Sequence, residues 1–170
     1  LRMKKKIAVL PGDGIGPEVI KQAKKVLEGV ALKFDHEFEY EYALVGADAI
    51  NKTGSPLPEK TIEICRQADA VLFGAIGDPS YDNNPKAKVR PEQGLLQLRK
   101  SLGLYANIRP VKLFDSLADR SPLKEERITG TDLIVYRELT GGIYFGEKGR
   151  SEDGTSAFDV CEYSVNEIVR

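Results

Sequence analysis

Arg99 and Arg109 stand on either side of a predicted junction between a helix and a strand. The helix is marked by leucines spaced as on one helical face, Leu95, Leu98 and Leu102. Gly103 is suited to the left-handed conformation that commonly ends a helix. Pro110 disfavours helical geometry at the residue before it, so Arg109 is expected in an extended segment. The two arginines therefore lie on consecutive elements and are able to converge.

Two guanidinium groups in one place would form a site for a carboxylate or a phosphate. Each presents a planar, permanently charged fork of donors that matches the oxygens of such an anion. The alternative is structural, with both arginines solvated or paired with glutamates, as surface arginines commonly are. The spacing alone leaves both interpretations open.

The composition indicates a globular protein without a strong electrostatic bias. The chain has 170 residues, 41% hydrophobic and 30% charged, with a formal net charge of −1. That charge provides no basic field for nucleic acid, and no apolar run reaches the roughly 18 residues that span a bilayer. The apolar run at 7–10 is too short for a secretion signal. We therefore expect a protein that binds neither nucleic acid nor membrane.

The cysteines and histidines exclude several kinds of site. Cys65 and Cys161 lack metal-type spacing and are expected to be reduced thiols, the first of them in the core of a helix. Because His36 is the one histidine, a histidine-based catalytic triad or zinc cluster is excluded.

Strands and helices alternate along the first half of the chain. Apolar runs at 6–10 and 70–76 are typical of buried strands, and residues 38–46 alternate apolar with acidic side chains. Helices are expected to begin near Pro17 and to cover 59–68. The first helix is expected to bury Val19, Ala23, Val26 and Val30, with Ile20 and Leu27 beside them. This order predicts an α/β fold with a parallel sheet.

The glycine-rich turn at 11–16 does not indicate a Rossmann fold. The dinucleotide fingerprint G-x-G-x-x-G needs its third glycine for close helix packing, whereas the pattern here is G-x-G-x-G followed by Pro17. Asp13 and Glu18 would also repel a pyrophosphate at the N-terminus of the helix.

A long loop without periodicity covers 77–92, directly after the apolar run at 70–76. Loops of this length in compact domains are commonly functional, and α/β sheets bind ligands at the carboxyl ends of their strands. The alternative is a mobile surface loop.

The second half of the chain predicts a strand, a hairpin and the start of a helix. The strand covers 132–138, and two extended runs around the polar residues 147–154 form the hairpin. The hairpin has little apolar surface of its own and is expected to pack on another surface, such as a second subunit. Ser164 and Glu167 form a capping box for a helix with scarcely one turn before Arg170, so we expect the chain to be a fragment.

Three stretches resemble the β-decarboxylating dehydrogenases, the isocitrate/isopropylmalate dehydrogenase family. They cover 7–18, 94–110 and 137–146, in family order. The resemblance implies the two-domain α/β fold of that family, which is not a Rossmann fold. Residues 1–104 are then the N-terminal part of the first domain, and residues 105–170 begin the second domain, with a projecting β-arm at about 139–163.

The resemblance also implies an activity. It is the NAD-dependent oxidative decarboxylation of (2R,3S)-3-isopropylmalate to 4-methyl-2-oxopentanoate in leucine biosynthesis, by a cytoplasmic homodimer that requires Mg²⁺ or Mn²⁺. The alternatives are a family member acting on isocitrate, homoisocitrate or tartrate, and a non-catalytic fragment that dimerises through its hairpin. The catalytic lysine and metal-binding aspartates of the family fall beyond Arg170, so no metal ligand is assigned here.

Family motifs assign the groups that contact the dicarboxylate substrate. Arg99, Arg109 and Arg137 match the substrate arginines, which would orient two carboxylates. Tyr144 matches the catalytic tyrosine that protonates the enol left after loss of CO₂. A phenol with an ordinary pKa near ~10 is a poor acid at neutral pH, so it needs a cationic neighbour, in the family a lysine.

The same matching assigns the specificity wall and the cofactor contacts. Leu95 and Leu96 match the wall for the isopropyl group, and they favour an apolar substrate because desolvating a carboxylate there is costly. Glu92 matches a glutamate beside the substrate and the nicotinamide. The residues that match NAD contacts are Ile15, Pro79, Ser80, Tyr81, Val89, Arg90, Pro91 and Glu92. Asp78 departs from the family pattern and is assigned no contact.

Overall fold

The chain divides into two compact units, Leu1–Leu102 and Gly103–Arg170. The computed structural model describes residues 2–82 and 89–170. Among the helices of these two ranges, none is both long enough and apolar enough to cross a membrane.

The first unit alternates strands with helices. Its strands are β1 (Lys4–Gly12), β2 (Glu37–Tyr42) and β3 (Ala70–Ala75). Its helices are α1 (Gly16–Phe34), α2 (Gly46–Thr53), α3 (Glu59–Gln67) and α4 (Pro91–Ser101), and a 3-10 turn covers Pro79–Tyr81. Helical crossovers of this kind are what parallel strands require.

The three strands form a parallel sheet in the order β2-β1-β3. Ile7 of β1 pairs with Tyr40 of β2 on one side and with Ala70 of β3 on the other. The carboxyl ends of the strands therefore lie at one edge of the sheet. The predicted α/β class and the predicted parallel sheet are confirmed.

Side chains alternate across β1 into two core layers. Ala8 and Leu10 join a cluster with Ile62, Ile64, Cys65 and Leu98 from α3 and α4. Ile7 and Val9 join Ile20 of α1 on the opposite face. Burial on both faces explains why β1 is a continuous apolar run. Strand β3 is only half-buried, contrary to its predicted full burial, because it lies at the edge of this three-stranded sheet.

Helix α1 turns a different face to the sheet from the one predicted. Ile20 is buried and Leu27 packs beside it, whereas Val19, Val26 and Val30 are exposed. The helix has two apolar stripes, and the stripe through Ile20 and Leu27 packs against the sheet. The valine stripe was therefore the wrong prediction for the buried face.

The second unit is built from short elements. Its strands are β4 (Ala106–Lys112), β5 (Asp132–Glu138), β6 (Lys148–Arg150) and β7 (Ala157–Asp159). Its helices are α5 (Glu125–Ile128) and α6 (Val165–Val169), and 3-10 turns cover Asp115–Arg120 and Gly142–Tyr144. Among the described hydrophobic residues of this unit, Leu139 is the one that is fully buried.

Two antiparallel pairs organise the second unit. Strand β4 pairs with β5 over its whole length, and β6 pairs with β7 as the predicted hairpin. The strand predicted at 132–138 is confirmed. The predicted capping box is present as well, because Ser164 Oγ accepts a hydrogen bond from the Glu167 amide and the Glu167 carboxylate accepts one from the Ser164 amide.

Candidate functional site

Helix α4 carries two distinct faces. The buried face consists of Pro91, Gly94 and Leu98. The neighbouring face carries Glu92, Leu95, Leu96 and Arg99, at the i, i+3, i+4, i+7 spacing of a single stripe. Leu95, Leu96 and Arg99 are half-buried, and Glu92 is exposed. The predicted substrate residues of this helix therefore share one stripe, distinct from the stripe that anchors the helix.

The position of α4 is set at its first turns. Pro91 occupies the first helical position, where its missing amide costs nothing. The Gln93 side chain accepts a hydrogen bond from the Arg90 amide at 3.0 Å. A Cβ at Gly94 would overlap the carbonyl oxygen of Pro56, so the helix approaches this backbone more closely than a larger residue permits. Gly103 adopts the predicted left-handed conformation just after the helix, with φ of 65°.

Arg109, Arg137 and Tyr144 line one cleft of the second unit. Its volume is about 500 Å³. Asn107 of β4 pairs with Arg137 of β5, so Arg109 and Arg137 lie on the same face of the two-stranded sheet. The Arg137 guanidinium carbon lies 5.2 Å from the centre of the Tyr144 ring. The structure thus brings two of the three predicted substrate arginines together with the predicted catalytic tyrosine.

The Arg109 side chain is oriented by its own strand. Its Nε donates a hydrogen bond to Asn107 Oδ1 at 2.7 Å. That bond uses one donor of the guanidinium and leaves the terminal nitrogens to face an anion. Arg99 belongs to the first unit, and its participation with these arginines stays a prediction.

Glu138 holds the turn that carries Tyr144. Its carboxylate accepts hydrogen bonds from the Thr140 amide at 2.8 Å, the Thr140 hydroxyl at 2.9 Å and the Gly141 amide at 3.0 Å. Arg170 donates to the same carboxylate at 3.2 Å. Burial raises the pKa of Glu138, but these hydrogen bonds outweigh it, so the pKa lies below its ordinary value. Glu138 is therefore ionised near neutral pH and anchors the backbone of Thr140 and Gly141, directly before the Tyr144 turn.

Tyr163 closes the same turn from the other side. A Cβ at Gly141 or Gly142 would overlap the Tyr163 side chain, so the aromatic ring packs directly on this backbone. The Gly142 amide also donates to the Glu162 carbonyl at 3.0 Å. Burial raises the pKa of the Tyr163 phenol, which keeps it protonated at neutral pH.

Two segments meet at the carboxyl edge of the parallel sheet. We call residues 13–15 the β1 turn and residues 76–82 the β3 loop. The Asp13 amide donates to the Ala75 carbonyl at 2.7 Å, and the Asp13 carboxylate accepts from the Gly77 amide at 3.2 Å. The β1 turn is thus joined to the end of β3 by the backbone and to the β3 loop by a side chain.

A cleft of about 630 Å³ opens beside the β1 turn. Its lining includes Asp48, Asn51 and Asp78, together with Asp13, whose carboxylate already accepts from three backbone amides. Among the described residues, the lining holds no arginine or lysine. Carboxylate and amide oxygens accept hydrogen bonds from sugar hydroxyls, whereas the negative charge of the carboxylates repels phosphates. The described residues of this cleft therefore suit a ribose and not the pyrophosphate of a dinucleotide.

Most of the predicted cofactor residues lie along this edge. Ile15 in the β1 turn is 58% exposed. Pro79, Ser80 and Tyr81 form the 3-10 turn of the β3 loop. The Asp78 carboxylate accepts from the Ser80 hydroxyl at 2.6 Å and its amide at 2.8 Å, and these bonds lower the pKa of Asp78.

The remaining cofactor residues lead into α4. Val89 is half-buried, Arg90 is exposed and Pro91 begins the helix. A Cβ at Gly77 would lie 3.7 Å from Glu92 Oε1, so the Glu92 carboxylate approaches the β3 loop. The part of the predicted loop at 83–88 lies outside the described residues.

No divalent-metal site can be assembled from the residues that the structure describes. Within 2–82 and 89–170, no group of three or more histidine, cysteine, aspartate or glutamate side chains is placed to hold a metal ion. The described residues of this chain therefore do not supply a ligand set for Mg²⁺ or Mn²⁺.

A protein family matches nearly the whole chain. Residues 6–170 match the family described as isocitrate/isopropylmalate dehydrogenase, and the chain belongs to it.

Similar curated relatives include the 3-isopropylmalate dehydrogenase of Bacteroides fragilis strain YCH46, which is 57% identical over 97% of this chain. The 3-isopropylmalate dehydrogenase of Bacillus subtilis is 53% identical over 99% of it. The chain spans about half the length of these relatives, 46% and 47%.

A solved structure agrees with the family. The β-decarboxylating dehydrogenase of Thermococcus kodakarensis, in its apo form, superposes with a TM-score of 0.63 and 35% identity. The match covers 95% of this chain and 41% of that one. The predicted isocitrate/isopropylmalate dehydrogenase-like fold is confirmed.

Asp13, Glu138 and Tyr163 were not assigned positioning roles from the sequence. These side chains contact mainly backbone groups. Because every residue has a backbone, such contacts cannot be recognised from residue types in the sequence. The nearest signals are the glycines that these side chains touch, Gly77 beside Asp13 and Gly142 beside Tyr163, both at positive φ.

Proposed function

We propose that the protein containing this chain catalyses the NAD-dependent oxidative decarboxylation of 3-isopropylmalate, a step of leucine biosynthesis. The observation that carries the proposal is the cleft in which Arg109 and Arg137 lie beside Tyr144. The names of the curated relatives agree with it. Two fixed guanidiniums suit a dicarboxylate, and a phenol beside them suits a proton-transfer step.

The reaction needs both of these chemistries. NAD⁺, when bound, would accept a hydride from the carbon of the substrate alcohol, and the hydroxyl proton would leave to water. The β-keto acid that results loses CO₂, and the bond electrons form an enol that must be protonated at carbon. Arg109 and Arg137 hold the carboxylates so that the geometry persists through both steps. Tyr144 is the proton donor to the enol, and its phenol regains a proton afterwards from a neighbouring acid or from water.

The preference for an isopropyl side group rests on α4. Leu95 and Leu96 share their helical stripe with Glu92 and Arg99, so an apolar wall adjoins the polar groups on one element. A carboxylate placed against two leucines would lose hydration without a partner. This wall supports 3-isopropylmalate over isocitrate as the substrate.

Family membership supports a dinucleotide cofactor and a divalent metal. We infer that NAD contacts Ile15, the 3-10 turn with Pro79, Ser80 and Tyr81, and the segment Val89, Arg90, Pro91 and Glu92. Mg²⁺ or Mn²⁺ would be held by residues outside the described ranges.

We also infer a cytoplasmic homodimer. The β6–β7 hairpin has three residues in each strand, and no described hydrophobic residue of these strands is fully buried. A lone hairpin is marginally stable in water, so the hairpin needs a surface to pack on, and a second copy of the chain supplies one. Sedimentation of the purified protein measures the oligomeric state, and a monomer at micromolar concentration would contradict the dimer.

The function is tested by substrate comparison on the protein as its source organism makes it. NADH formation is followed with 3-isopropylmalate, isocitrate, homoisocitrate and tartrate in the presence of Mg²⁺. We expect the highest kcat/KM for 3-isopropylmalate. A higher value for isocitrate would reassign the substrate, and no NADH formation from any of the four would overturn the proposed reaction.

A further inference from the structure

Asp13 is a buried carboxylate that the proposed chemistry does not use. It is 5% exposed and lies in the β1 turn, between two glycines at positive φ. The proposed reaction gives it no substrate, proton or metal to bind. Its side chain is nevertheless fully engaged, and the partners lie in two segments distant from it in sequence.

The Asp13 carboxylate accepts three hydrogen bonds from backbone amides. Oδ2 accepts from Ala47 at 2.8 Å and from Gly77 at 3.2 Å, and Oδ1 accepts from Asp48 at 3.0 Å. Ala47 and Asp48 belong to the first turn of α2, where helix amides lack partners within the helix. One carboxylate thus joins the β1 turn, the start of α2 and the start of the β3 loop.

The start of α2 approaches the Asp13 carboxylate closely. A Cβ at Gly46 would overlap the Asp13 carboxylate, so α2 approaches it at a glycine. The Gly77 amide that binds Asp13 leads directly into the 3-10 turn at Pro79–Tyr81. Tyr81 in turn donates to Asn51 of α2 at 2.8 Å. The loop is therefore linked to α2 directly at Tyr81 and through Asp13 at Gly77.

We propose that Asp13 is a positioning residue for the cofactor, because its carboxylate holds the β3 loop in the geometry that contacts the dinucleotide. The proposal deepens the proposed function and rests on it, since it takes Pro79–Tyr81 as part of the NAD site. The carboxylate acts through the backbone and touches neither NAD nor substrate. Loss of its acceptor oxygens would loosen the loop without removing any contact residue.

The variant Asp13→Asn removes one of the two acceptor oxygens. An amide has one oxygen and one donor group, so at least one backbone amide then faces a donor. We expect the dissociation constant for NADH, measured by fluorescence titration, to rise at least tenfold. The KM for 3-isopropylmalate and kcat at saturating NAD⁺ are expected to stay within threefold. If the Asp13 carboxylate had only a structural role, its loss would not change the NADH dissociation constant separately from KM and kcat.

Two control variants separate positioning from loss of stability. Asp69→Asn is matched, because Asp69 accepts from the Lys6 amide at 2.8 Å at the opposite end of β1. Ile64→Val removes one buried methyl group from the core. Both are expected to bind NADH as the wild type does, whatever their melting temperatures. A loss of NADH affinity in either control would make the Asp13 effect nonspecific and overturn the proposal.

Hydrogen exchange tests the same idea without turnover. In the absence of cofactor, amides of residues 77–82 are expected to exchange faster in Asp13→Asn than in the wild type and in Asp69→Asn. If Asp13→Asn does not fold, Asp13→Glu keeps the charge and displaces it by one methylene, and the same two measurements apply.

The outcomes separate this inference from the proposed function. Wild-type protein that binds no NADH refutes the proposed function and this inference with it. Wild-type protein that binds NADH while the folded Asp13 variant binds it equally well refutes the inference alone. Reduced NADH affinity with faster exchange at 77–82 supports both.

Discussion

The contact between Tyr144 and Arg137 joins the proposed proton donor to a proposed substrate-binding group. The guanidinium stands over the phenol ring at 5.2 Å, a distance at which cation and ring attract one another. Glu138 fixes the turn between them through backbone amides. The Glu138 carboxylate, which has no proposed role in substrate binding or proton transfer, therefore helps to set the relative placement of the two side chains.

Tyr144→Phe removes the proposed proton donor and keeps the ring. We expect kcat for 3-isopropylmalate to fall by about 10²–10⁴, the usual contribution of a general acid, with little change in KM. Tyr136→Phe is the control, because Tyr136 lines the same cleft but is 68% exposed and has no proposed role. An equal loss of kcat in both variants would show that Tyr144 has no special chemical role.

Arg109→Lys and Arg137→Lys keep the charge but remove the fork of donors. A hydrogen bond to a charged group contributes about 1.5–3 kcal/mol, so we expect KM for the dicarboxylate to rise roughly 10- to 100-fold in each variant. The control is Arg120→Lys, whose side chain is 81% exposed. Steady-state kinetics measure the effect, and an unchanged KM in the first two variants would indicate the structural alternative for these arginines.

At the scale of helices and turns, glycines determine how closely a helix approaches the neighbouring backbone. Gly94 of α4 packs on the Pro56 backbone, whereas a Cβ added at Gly29 of α1 would have no atom within 4 Å. The same substitution therefore has opposite consequences on two helices. The difference lies in packing and not in helix propensity, because both positions are inside helices.

Gly94→Ala is expected to destabilise the protein by about 1–3 kcal/mol, since the added methyl group forces α4 away from Pro56. Gly29→Ala is expected to be neutral or to stabilise by about 0.5–1 kcal/mol, because alanine restricts the unfolded chain and meets no neighbour. Urea denaturation measures both. Equal effects in the two variants would contradict the close approach of α4.

The turn of the β6–β7 hairpin contains a titratable cap. Asp153 accepts hydrogen bonds from the Ser151 hydroxyl and from the amide and hydroxyl of Thr155. These bonds, the Ser151 bond first, lower its pKa from 3.8 to about 2. A lowered pKa stabilises the folded turn above pH 3.8, and this stabilisation is lost as the pH falls through about 2. Nuclear magnetic resonance of the turn residues between pH 5 and 2 should show this loss, and Asp153→Asn should abolish the pH dependence.

Sequence patterns predicted the elements better than their faces and contacts. The apolar run of β1 indicated a strand, and the spacing of Leu95, Leu98 and Leu102 indicated the helix that ends directly before Leu102. Both patterns are informative because burial selects residue type directly. Helix α1 has two apolar stripes, and helical periodicity identifies both. It does not show which of the two packs against the sheet. Helix α2 was missed because its eight residues hold few apolar side chains. The role of Asp13 arises from backbone amides of distant segments, and only the fold brings these together.

The two units differ in how much apolar surface they bury. Among the described residues, every fully buried hydrophobic side chain except Leu139 belongs to the first unit. Burial of apolar area is the main favourable contribution to folding, about 25 cal/mol for each Å² removed from water. Local stability within this 170-residue chain should therefore be unequal, with the core strands of the first unit opening last.

Hydrogen exchange of the 170-residue chain tests this inequality. We expect the slowest amides in β1, which pairs with a strand on each side and packs on both faces. Amides of β4 and β5 should exchange much faster, because Ile108, Ile134 and Tyr136 on these strands are at least half exposed and water reaches the sheet. If β4 and β5 were protected from exchange as strongly as β1, the second unit would gain stability from contacts other than burial of its own side chains. Because β4 and β5 carry Arg109 and Arg137, such a result would also change the expected rigidity of the proposed dicarboxylate site.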